Sequence, residues 1–319
     1  MIKKLVSVFL VAVLALCFTA CSANEKEVSG ETSSSASVSE TIKLTDDAGR
    51  EVEVKSANRV ACMIGSFADM WCLAGGKDSI VATADDTWRN FDLNLDESVM
   101  NLGEIKEPNL EILLESEPDL VIASTNTTSN VEMEETLTNA GITVVYYDVQ
   151  SFDDYLRVLD SMTDITGDKA AFETNGTKIK EKVDAAKALS DGSKPTVCCL
   201  RVTSSSVKAK GSDDSVLSAI TSDLDCVNIA DEYDSLLENL SLETIMEADP
   251  EYIFVVYHGP SNADSEKMLN DTLLSNPAWN TLSAVKNGNY HVLDYKLYNL
   301  KPNAEWGTAY EQLAEILYK

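Results

Sequence analysis

Apolar and polar positions follow a pattern that occurs twice in the chain, with the two copies 132 residues apart. The copies are residues 109–124 and 241–256. Each opens with a helix-capping residue, Asn109 or Ser241, runs at helical spacing toward a proline, and ends in a short apolar run typical of a buried strand. Four pairs are identical between the copies: Leu110 and Leu242, Glu111 and Glu243, Glu115 and Glu247, Pro118 and Pro250. The pattern predicts two similar α/β lobes, one after the other.

Further runs of strand-like and helix-like residues surround the two copies. The spacing predicts strands at 59–64, 79–83, 142–147 and 196–200, and helices ending at glycines at 66–74 and 133–140. Strands that alternate with helices favour a parallel sheet with helices on both faces. We therefore expect each lobe to be an α/β unit.

A long helical stretch lies between the two lobes. Apolar residues recur at helical spacing from Phe152 to Ile165, and after Gly167 they continue from Phe172 to Ala186. The glycine leaves open whether this stretch is one helix or has a break. The expected organisation is an N-terminal lobe at 41–150, an inter-lobe helix at 151–190 and a C-terminal lobe at 191–319.

The first twenty residues have the pattern of an export signal. Lys3 and Lys4 precede an almost wholly apolar run from Leu5 to Ala20. As a helix this run would reach only about 24 Å, less than the ~30 Å hydrocarbon core of a membrane. A basic start, an apolar stretch and small residues before a break are typical of a signal peptide. Residues 1–20 are therefore expected to be removed.

Residues 21–40 are predicted to form a flexible tether. They are rich in Ser, Glu and Thr and contain no aromatic residue, so they cannot bury a core. The sequence Phe18-Thr19-Ala20-Cys21 resembles a bacterial lipoprotein signal, in which the cysteine is lipidated and becomes the first residue. That resemblance implies a protein lipid-anchored through Cys21 to the outer face of the cell membrane. The alternative is an ordinary signal peptide with an incidental cysteine.

Composition and charge exclude several classes of protein. Hydrophobic residues make up 44% and charged residues 24% of the chain, which excludes a mostly disordered chain and a multi-span membrane protein. Lys and Arg number 25 against 53 Asp and Glu, for a formal charge of −28. Because nucleic acids are bound chiefly through basic residues that neutralise phosphates, no nucleic-acid partner is expected.

Cysteine, histidine and motif content argue against a metal centre, a cofactor or catalysis. The cysteines after Cys21 form no C-x-x-C pair, so free buried thiols are expected, with Cys62–Cys72 the one local disulfide to test. Only His258 and His291 exist, which excludes a three-histidine metal site. The sequence also lacks the phosphate-loop, dinucleotide and H-E-x-x-H motifs. We expect no enzyme, no cofactor and no protein-bound metal site.

Several short motifs, in order, carry a resemblance to a known family: Asn58-Arg59-Val60, Asn109-Leu110-Glu111-Ile112, Glu117-Pro118-Asp119, Lys210-Gly211-Ser212, Asn276-Pro277-Ala278-Trp279 and Lys301-Pro302-Asn303. From about residue 41 to 319 the chain resembles the ABC-transporter solute-binding proteins of the cobalamin, haem and iron-siderophore class. The resemblance implies two Rossmann-like lobes with mostly parallel sheets, joined by a single long helix, with the ligand cleft between the lobes. It also implies an extracytoplasmic protein, expected to be a monomer, that delivers its ligand to a membrane permease and its ATPase.

The same resemblance implies a metal chelate as ligand, with an iron(III)-siderophore expected first, haem second and a corrinoid third. A bulky, partly apolar chelate suits aromatic walls better than a bare ion, which needs a tight shell of fixed ligands. His258 is either an axial ligand to haem iron or a loop histidine bonded to backbone. An alternative of another class is a surface sensory or adhesion lipoprotein on the same scaffold.

The ligand-binding residues are expected in loops at the carboxyl ends of the strands. Rigid aromatic rings cover apolar ligand surface there, while hydroxyls and amides fix its orientation. The predicted ligand-binding set is Ser66, Phe67, Thr87, Trp88, Thr125, Asn126, Thr203, Ser204, Tyr257, His258, Tyr295 and Tyr298.

Glu111 and Glu243 hold equivalent places near the starts of the two repeated helices. The helix dipole alone would favour a carboxylate there by about 0.3–1 kcal/mol. In the family that the chain resembles, one surface Glu per lobe docks into arginines of the permease, and these two match that position. Glu305 departs from the family at a position where relatives commonly carry Arg, and it would alter the charge preference of the cleft if it lined it.

Overall fold

The computed structural model describes residues 41–319. The predicted signal peptide, the tether and lipidation at Cys21 lie outside the described residues. Across residues 41–319, no helix combines the length and the apolar character needed to cross a membrane.

The N-terminal lobe contains a hairpin and a five-stranded parallel sheet. The hairpin pairs β1 (Ile42–Thr45) with β2 (Glu51–Val54). The sheet consists of β3 (Val60–Cys62), β4 (Ile80–Thr83), β5 (Met100–Asn101), β6 (Leu120–Ser124) and β7 (Thr143–Tyr147), in the order β5–β4–β3–β6–β7. Its helices are α1 (Gly65–Leu73), α2 (Asp86–Asn90), α3 (Leu110–Glu115), α4 (Thr128–Glu132) and α5 (Glu134–Asn139).

The connection between the lobes divides at Gly167. Helix α6 (Phe152–Thr166) begins with a reciprocal capping box between Ser151 and Asp154, and Gly167 ends it with a left-handed φ of 77°. The chain continues as α7 (Lys169–Phe172), a π-helical turn (Glu173–Thr177) and α8 (Lys178–Lys187). The sequence left open whether the helical stretch is continuous at Gly167. The structure shows a break there, because a left-handed residue cannot continue an α-helix.

The C-terminal lobe contains a second sheet, built around a parallel core. Strands β8 (Thr196–Val202), β10 (Val227–Asn228), β11 (Tyr252–Tyr257) and β12 (Tyr290–Leu293) run in the order β10–β8–β11–β12, and β9 (Val207–Ala209) pairs antiparallel with β8. The helices are α9 (Val216–Asp223), α10 (Ile229–Glu232), α11 (Asp234–Glu238), α12 (Leu242–Ala248), α13 (Ala263–Leu269), α14 (Ser283–Lys286), α15 (Tyr295–Tyr298) and α16 (Trp306–Tyr318).

The predicted two-lobed α/β fold with mostly parallel sheets is confirmed. The strands and helices expected from the pattern occur within two residues of their predicted ends. The two repeat copies fold alike in detail, since each short helix is followed by a left-handed residue, Glu117 with φ of 45° or Asp249 with φ of 41°. A proline and then a buried strand follow in both copies.

A shared core joins the lobes through the last helix. The ring of Phe152, at the start of α6, lies 5.9 Å from that of Trp306 and 6.1 Å from that of Tyr310, both on α16. All three side chains are buried in one core cluster that also includes residues of α8 and α9. Helix α16 therefore ties the C-terminal end of the chain to the connection between the lobes.

The cysteines of the described residues are free thiols, so Cys62 and Cys72 form no disulfide in this structure. Burial raises the pKa of Cys72 to about 12. Cys198 and Cys199 are adjacent on β8, and their side chains pack into different core clusters on opposite faces of the sheet. These thiols serve packing, as the sequence predicted.

Candidate functional site

The carboxyl ends of three C-terminal-lobe strands meet at one edge of the sheet. Val202 of β8 pairs with Tyr257 of β11, and Val256 pairs with Leu293 of β12. The segments that follow therefore lie side by side. They carry four of the predicted ligand-binding residues: Thr203, Ser204 and His258 in loops, and Tyr295 at the start of α15. Tyr257 and Tyr295 line one open recess of about 340 Å³ at this edge.

The N-terminal lobe presents an equivalent edge. Thr125 and Asn126 follow β6, and residues 126–129 line a recess of about 260 Å³ together with Ile105 and Lys106. Trp88, on α2, is 47% exposed although it is a large apolar ring. An exposed indole and an exposed amide are groups that a partly apolar ligand can use.

The structure corrects part of the predicted ligand-binding set. Phe67 and Tyr298 are only 3% and 1% exposed and belong to the core. The Tyr298 hydroxyl donates to the carbonyl oxygen of Ala309, so its polar end is already used inside the fold. Thr87 is buried and its hydroxyl shares a hydrogen bond with Thr83. Ser66 is also buried. All four lie in helices with their side chains buried, so this structure does not present them at the surface.

A chain of hydrogen bonds crosses from the N-terminal lobe to the segment before α16. Asn126 Nδ2 donates to Asp148 Oδ1 at 2.6 Å, and Gln150 Nε2 donates to the same oxygen at 2.8 Å. Lys301 Nζ then donates to Gln150 Oε1 at 3.3 Å. Burial lowers the pKa of Lys301. The predicted residue Asn126 is therefore held in place by a network that reaches both lobes.

Asn303 makes a second contact between the lobes. Its Nδ2 donates to the carbonyl oxygen of Ser66 and to Asp69 Oδ2, at 3.0 and 2.7 Å. Its backbone is left-handed, with φ of 53°, and its side chain is fully buried. In the sequence, the Lys301-Pro302-Asn303 motif stands out only through the family resemblance. In the structure, Lys301 and Asn303 both form hydrogen bonds to residues of the N-terminal half of the chain.

Positive charges from separate segments lie near His258. Burial is the main cause that lowers the pKa of His258, and Arg201 and Lys106 add electrostatic repulsion. Burial also lowers the pKa of Lys210, with Arg201 and Lys208 contributing and the Asp214 carboxylate opposing. We call Lys106, Arg201, Lys208 and Lys210 the basic cluster.

Within residues 41–319, no member of the basic cluster forms a close ion pair, although the Asp214 carboxylate acts on Lys210. The ion pairs that do form are mostly between exposed side chains. What distinguishes these cations is that they belong to separate segments and influence one another's titration or that of His258. Sequence reasoning missed Lys106, Arg201 and Lys208. One feature of the sequence could have pointed to these residues. Arg201 is a charged residue within an apolar run, just before the loop that begins at Thr203.

The two predicted docking residues are exposed at helix starts. Asn109 Oδ1 accepts from the backbone N–H of Glu111, and Ser241 Oγ accepts from that of Thr244. Within the described part of the chain, neither Glu111 nor Glu243 forms an ion pair. The side chains are therefore free to meet a partner. That they dock to a permease stays a prediction.

Glu305 has a local role in the fold. It stands at the N-cap of α16, and its Oε2 accepts from the Thr308 hydroxyl at 2.8 Å. A carboxylate there is favoured by the helix dipole. Glu305, which stands where relatives commonly carry Arg, therefore fits the start of α16.

Comparison with known proteins gives a match over most of the chain. The family described as periplasmic binding protein matches residues 60–297. The iron-uptake system-binding protein of Bacillus subtilis (strain 168) is 25% identical over 323 residues, which cover 98% of this chain and 96% of that protein.

Solved structures share the fold. IsdE of S. aureus, complexed with haem, has a TM-score of 0.67 at 20% identity and covers 83% of this chain and 100% of its own. The vitamin B12 binding protein BtuF of Vibrio cholerae has a TM-score of 0.65 at 17% identity, covering 82% and 96%. An Fe³⁺-hydroxamate transport protein from Saccharomonospora viridis has a TM-score of 0.63 at 18% identity, covering 88% and 99%. At these identities the likeness shows the fold alone.

Proposed function

We propose that this chain, which belongs to the periplasmic binding protein family, captures an anionic metal chelate between its lobes and delivers it to an ABC permease and its ATPase. Membership in the family makes it an extracytoplasmic binding protein and not an enzyme. The chelate that we propose first is an iron(III)-siderophore. The Bacillus subtilis relative is named for iron uptake, which supports iron as the metal.

The observation that carries the proposal is the basic cluster, in which Arg201 and Lys106 act on His258 and Arg201 and Lys208 act on Lys210. Iron(III) complexes of catecholate or carboxylate chelators are anions, so Arg201 and Lys106 would gain ionic hydrogen bonds that they lack in the free protein. The chelator fills the coordination sphere of the metal, and the protein need supply few metal ligands. Among the described residues, no group of three His, Cys, Asp or Glu side chains could hold a metal ion. Tyr257, Tyr295 and Trp88 would cover the apolar parts of the chelator.

Haem is the second candidate, and His258 is the observation that favours it. The residue as a whole is accessible to solvent, and partial burial of its side chain lowers the pKa, which favours the neutral imidazole that can ligate iron. The basic cluster would then pair with the haem propionates. No feature of the described residues singles out a corrinoid, which stays third. A sensory or adhesion role on the same scaffold would need neither permease nor ATPase.

The experiment that tests the proposal is a titration of the mature protein followed by tryptophan fluorescence. The probes are a ferric tricatecholate, a ferric trihydroxamate, haem and cobalamin. We expect the trianionic tricatecholate to bind with a Kd below about 1 μM and at least tenfold more tightly than the less charged trihydroxamate, which corresponds to about 1.4 kcal/mol. The variant Trp88→Phe shows which part of the signal comes from the predicted wall. Tightest binding of cobalamin, or no binding of any probe, would contradict the proposal.

Replacing His258 by Ala distinguishes the first two ligands. For a fully chelated siderophore iron, affinity should stay within about tenfold, or about 1.4 kcal/mol, because the histidine then makes only a polar contact. For haem with His258 as axial ligand, affinity should fall much further and the Soret band should shift. The measurement is a paired titration with ferric tricatecholate and with haem, and His291→Ala is the matched control.

The lipid anchor is a separate proposal, and Cys21→Ser tests it. Without the thiol no lipid can be attached, so a protein with its signal removed should leave the membrane fraction. Fractionation of cells and medium with an antibody to the protein measures this. The companion variant Cys62→Ser should stay with the membrane. A Cys21→Ser protein that is processed and still membrane-bound would show that the anchor lies elsewhere.

A further inference from the structure

Two large apolar side chains are exposed at equivalent positions of the two repeat copies. Leu114 on α3 is 36% exposed and Met246 on α12 is 37% exposed. They are separated by the same 132 residues as Glu111 and Glu243, and each stands three residues after its glutamate. Most large apolar residues of the described chain are in the core, so the coincidence of position and exposure needs an explanation.

Each apolar side chain shares a helix face with its glutamate. Residues three apart on an α-helix are neighbours on its surface, so Leu114 lies beside Glu111 and Met246 beside Glu243. The neighbouring positions, Leu113 and Ile245, are fully buried and fix which side faces the core. Glu115 and Glu247 complete the exposed face in both copies. We call these two sets of residues the paired patches: Glu111, Leu114 and Glu115 on one lobe, and Glu243, Met246 and Glu247 on the other.

We propose that the paired patches seat the protein on the permease through Leu114 and Met246 as well as through the glutamates. Each apolar side chain enters an apolar recess beside a basic socket, once on each lobe. This inference rests on the proposed delivery to an ABC permease and adds the apolar half of the contact. A partner that offers the same site twice matches a surface that this chain also offers twice.

The charge of the patches decides among possible occupants. Four glutamates surround the two apolar side chains, and none forms an ion pair within residues 41–319. An anionic membrane surface or a second copy of the same patch would be repelled by them. A basic protein surface is attracted, which speeds encounter, while the desolvated apolar contact slows dissociation. A permease face with basic sockets is therefore the occupant that fits.

Serine substitutions test the apolar half directly. The permease–ATPase complex of the same importer, reconstituted in nanodiscs, is titrated with full-length protein that carries Leu114→Ser, Met246→Ser or both. We expect each change to weaken binding about threefold and the pair about tenfold, or about 1.4 kcal/mol. Leu114→Met and Met246→Leu should bind normally. The controls Val131→Ser and Leu237→Ser replace exposed apolar residues outside the patches, and nanodiscs without permease test for lipid binding.

Salt separates the apolar contact from the ionic one. The loss caused by the serines should persist at 0.5 M salt, whereas the loss caused by Glu111→Gln and Glu243→Gln should shrink because ions screen it. If the glutamine variants weaken binding and the serine variants do not, the inference is wrong and permease docking stands. If neither pair changes binding, the inference and the docking proposal both fail. Binding to empty nanodiscs that depends on Leu114 would overturn the permease as occupant.

Discussion

Reversing the charge of Glu111 and Glu243 to Arg in one protein is expected to reduce uptake at least a hundredfold while chelate affinity stays unchanged. Both carboxylates are exposed, and neither is ion-paired within residues 41–319. If they meet basic sockets on the permease, reversal places like charges together, which costs several kcal/mol. Because neither side chain lines either of the two recesses, binding of ferric tricatecholate should not change. Uptake of radiolabelled iron chelate and stimulation of the ATPase measure the effect.

The matched control separates location from net charge. Glu135→Arg combined with Glu266→Arg also reverses one exposed carboxylate in each lobe and changes the charge by the same amount. This control protein should support normal uptake. Single reversals at Glu111 or Glu243 should show intermediate uptake, since one lobe would still dock. If the Glu111/Glu243 double variant supported uptake as well as the control, docking through these residues would be disproved.

The repeat made the fold predictable from the sequence alone. Two helices that begin with a capping residue and end shortly before a proline and an apolar strand indicate similar α/β units. Glu117 and Asp249 share the same left-handed conformation at the helix ends. Caps, prolines and apolar runs act locally, so they can be identified without knowledge of the tertiary structure. The division of the connection depended on one glycine. Gly167 adopts φ of 77° and ends α6 where helical spacing alone would have carried the helix on.

The candidate site was harder to predict because burial and charge clustering arise from tertiary packing. Tyr298 is an aromatic residue shortly after a strand, which is typical of a residue that contacts ligand. In the structure it is buried, and its hydroxyl donates to the carbonyl oxygen of Ala309 on α16. The basic cluster combines a loop residue near position 106 with strand residues near 201 and 208. These segments are far apart in sequence, and no local pattern indicates that Lys106 and Arg201 both act on His258 or that Lys208 acts on Lys210. Trp88, Tyr257, Tyr295 and Asn126 remain candidates, since each lies at or just beyond the end of a strand and is at least partly accessible.

Neutralising Lys106 and Arg201 together is expected to weaken binding of ferric tricatecholate about a hundredfold. Hydrogen bonds to charged groups each contribute about 1.5–3 kcal/mol, and a tenfold change in Kd corresponds to about 1.4 kcal/mol. Lys106→Gln and Arg201→Gln keep most of the length and polarity of the side chains, so the change removes charge with little change in shape. The pKa of His258 should rise in the double variant, because two nearby positive charges no longer oppose its protonation.

The test of this electrostatic account includes a control and a salt series. Lys178→Gln with Lys286→Gln removes two exposed lysines outside the basic cluster and shifts the net charge equally, so this protein should bind like the unmodified chain. Affinity of the unmodified chain should fall as salt rises, and that of the Lys106/Arg201 variant should fall less, because fewer charges remain to be screened. NMR titration of His258 follows its pKa in both proteins. Full affinity of the double variant for ferric tricatecholate would show that the anionic ligand does not depend on the basic cluster, since two lost ionic contacts cannot leave the binding free energy unchanged.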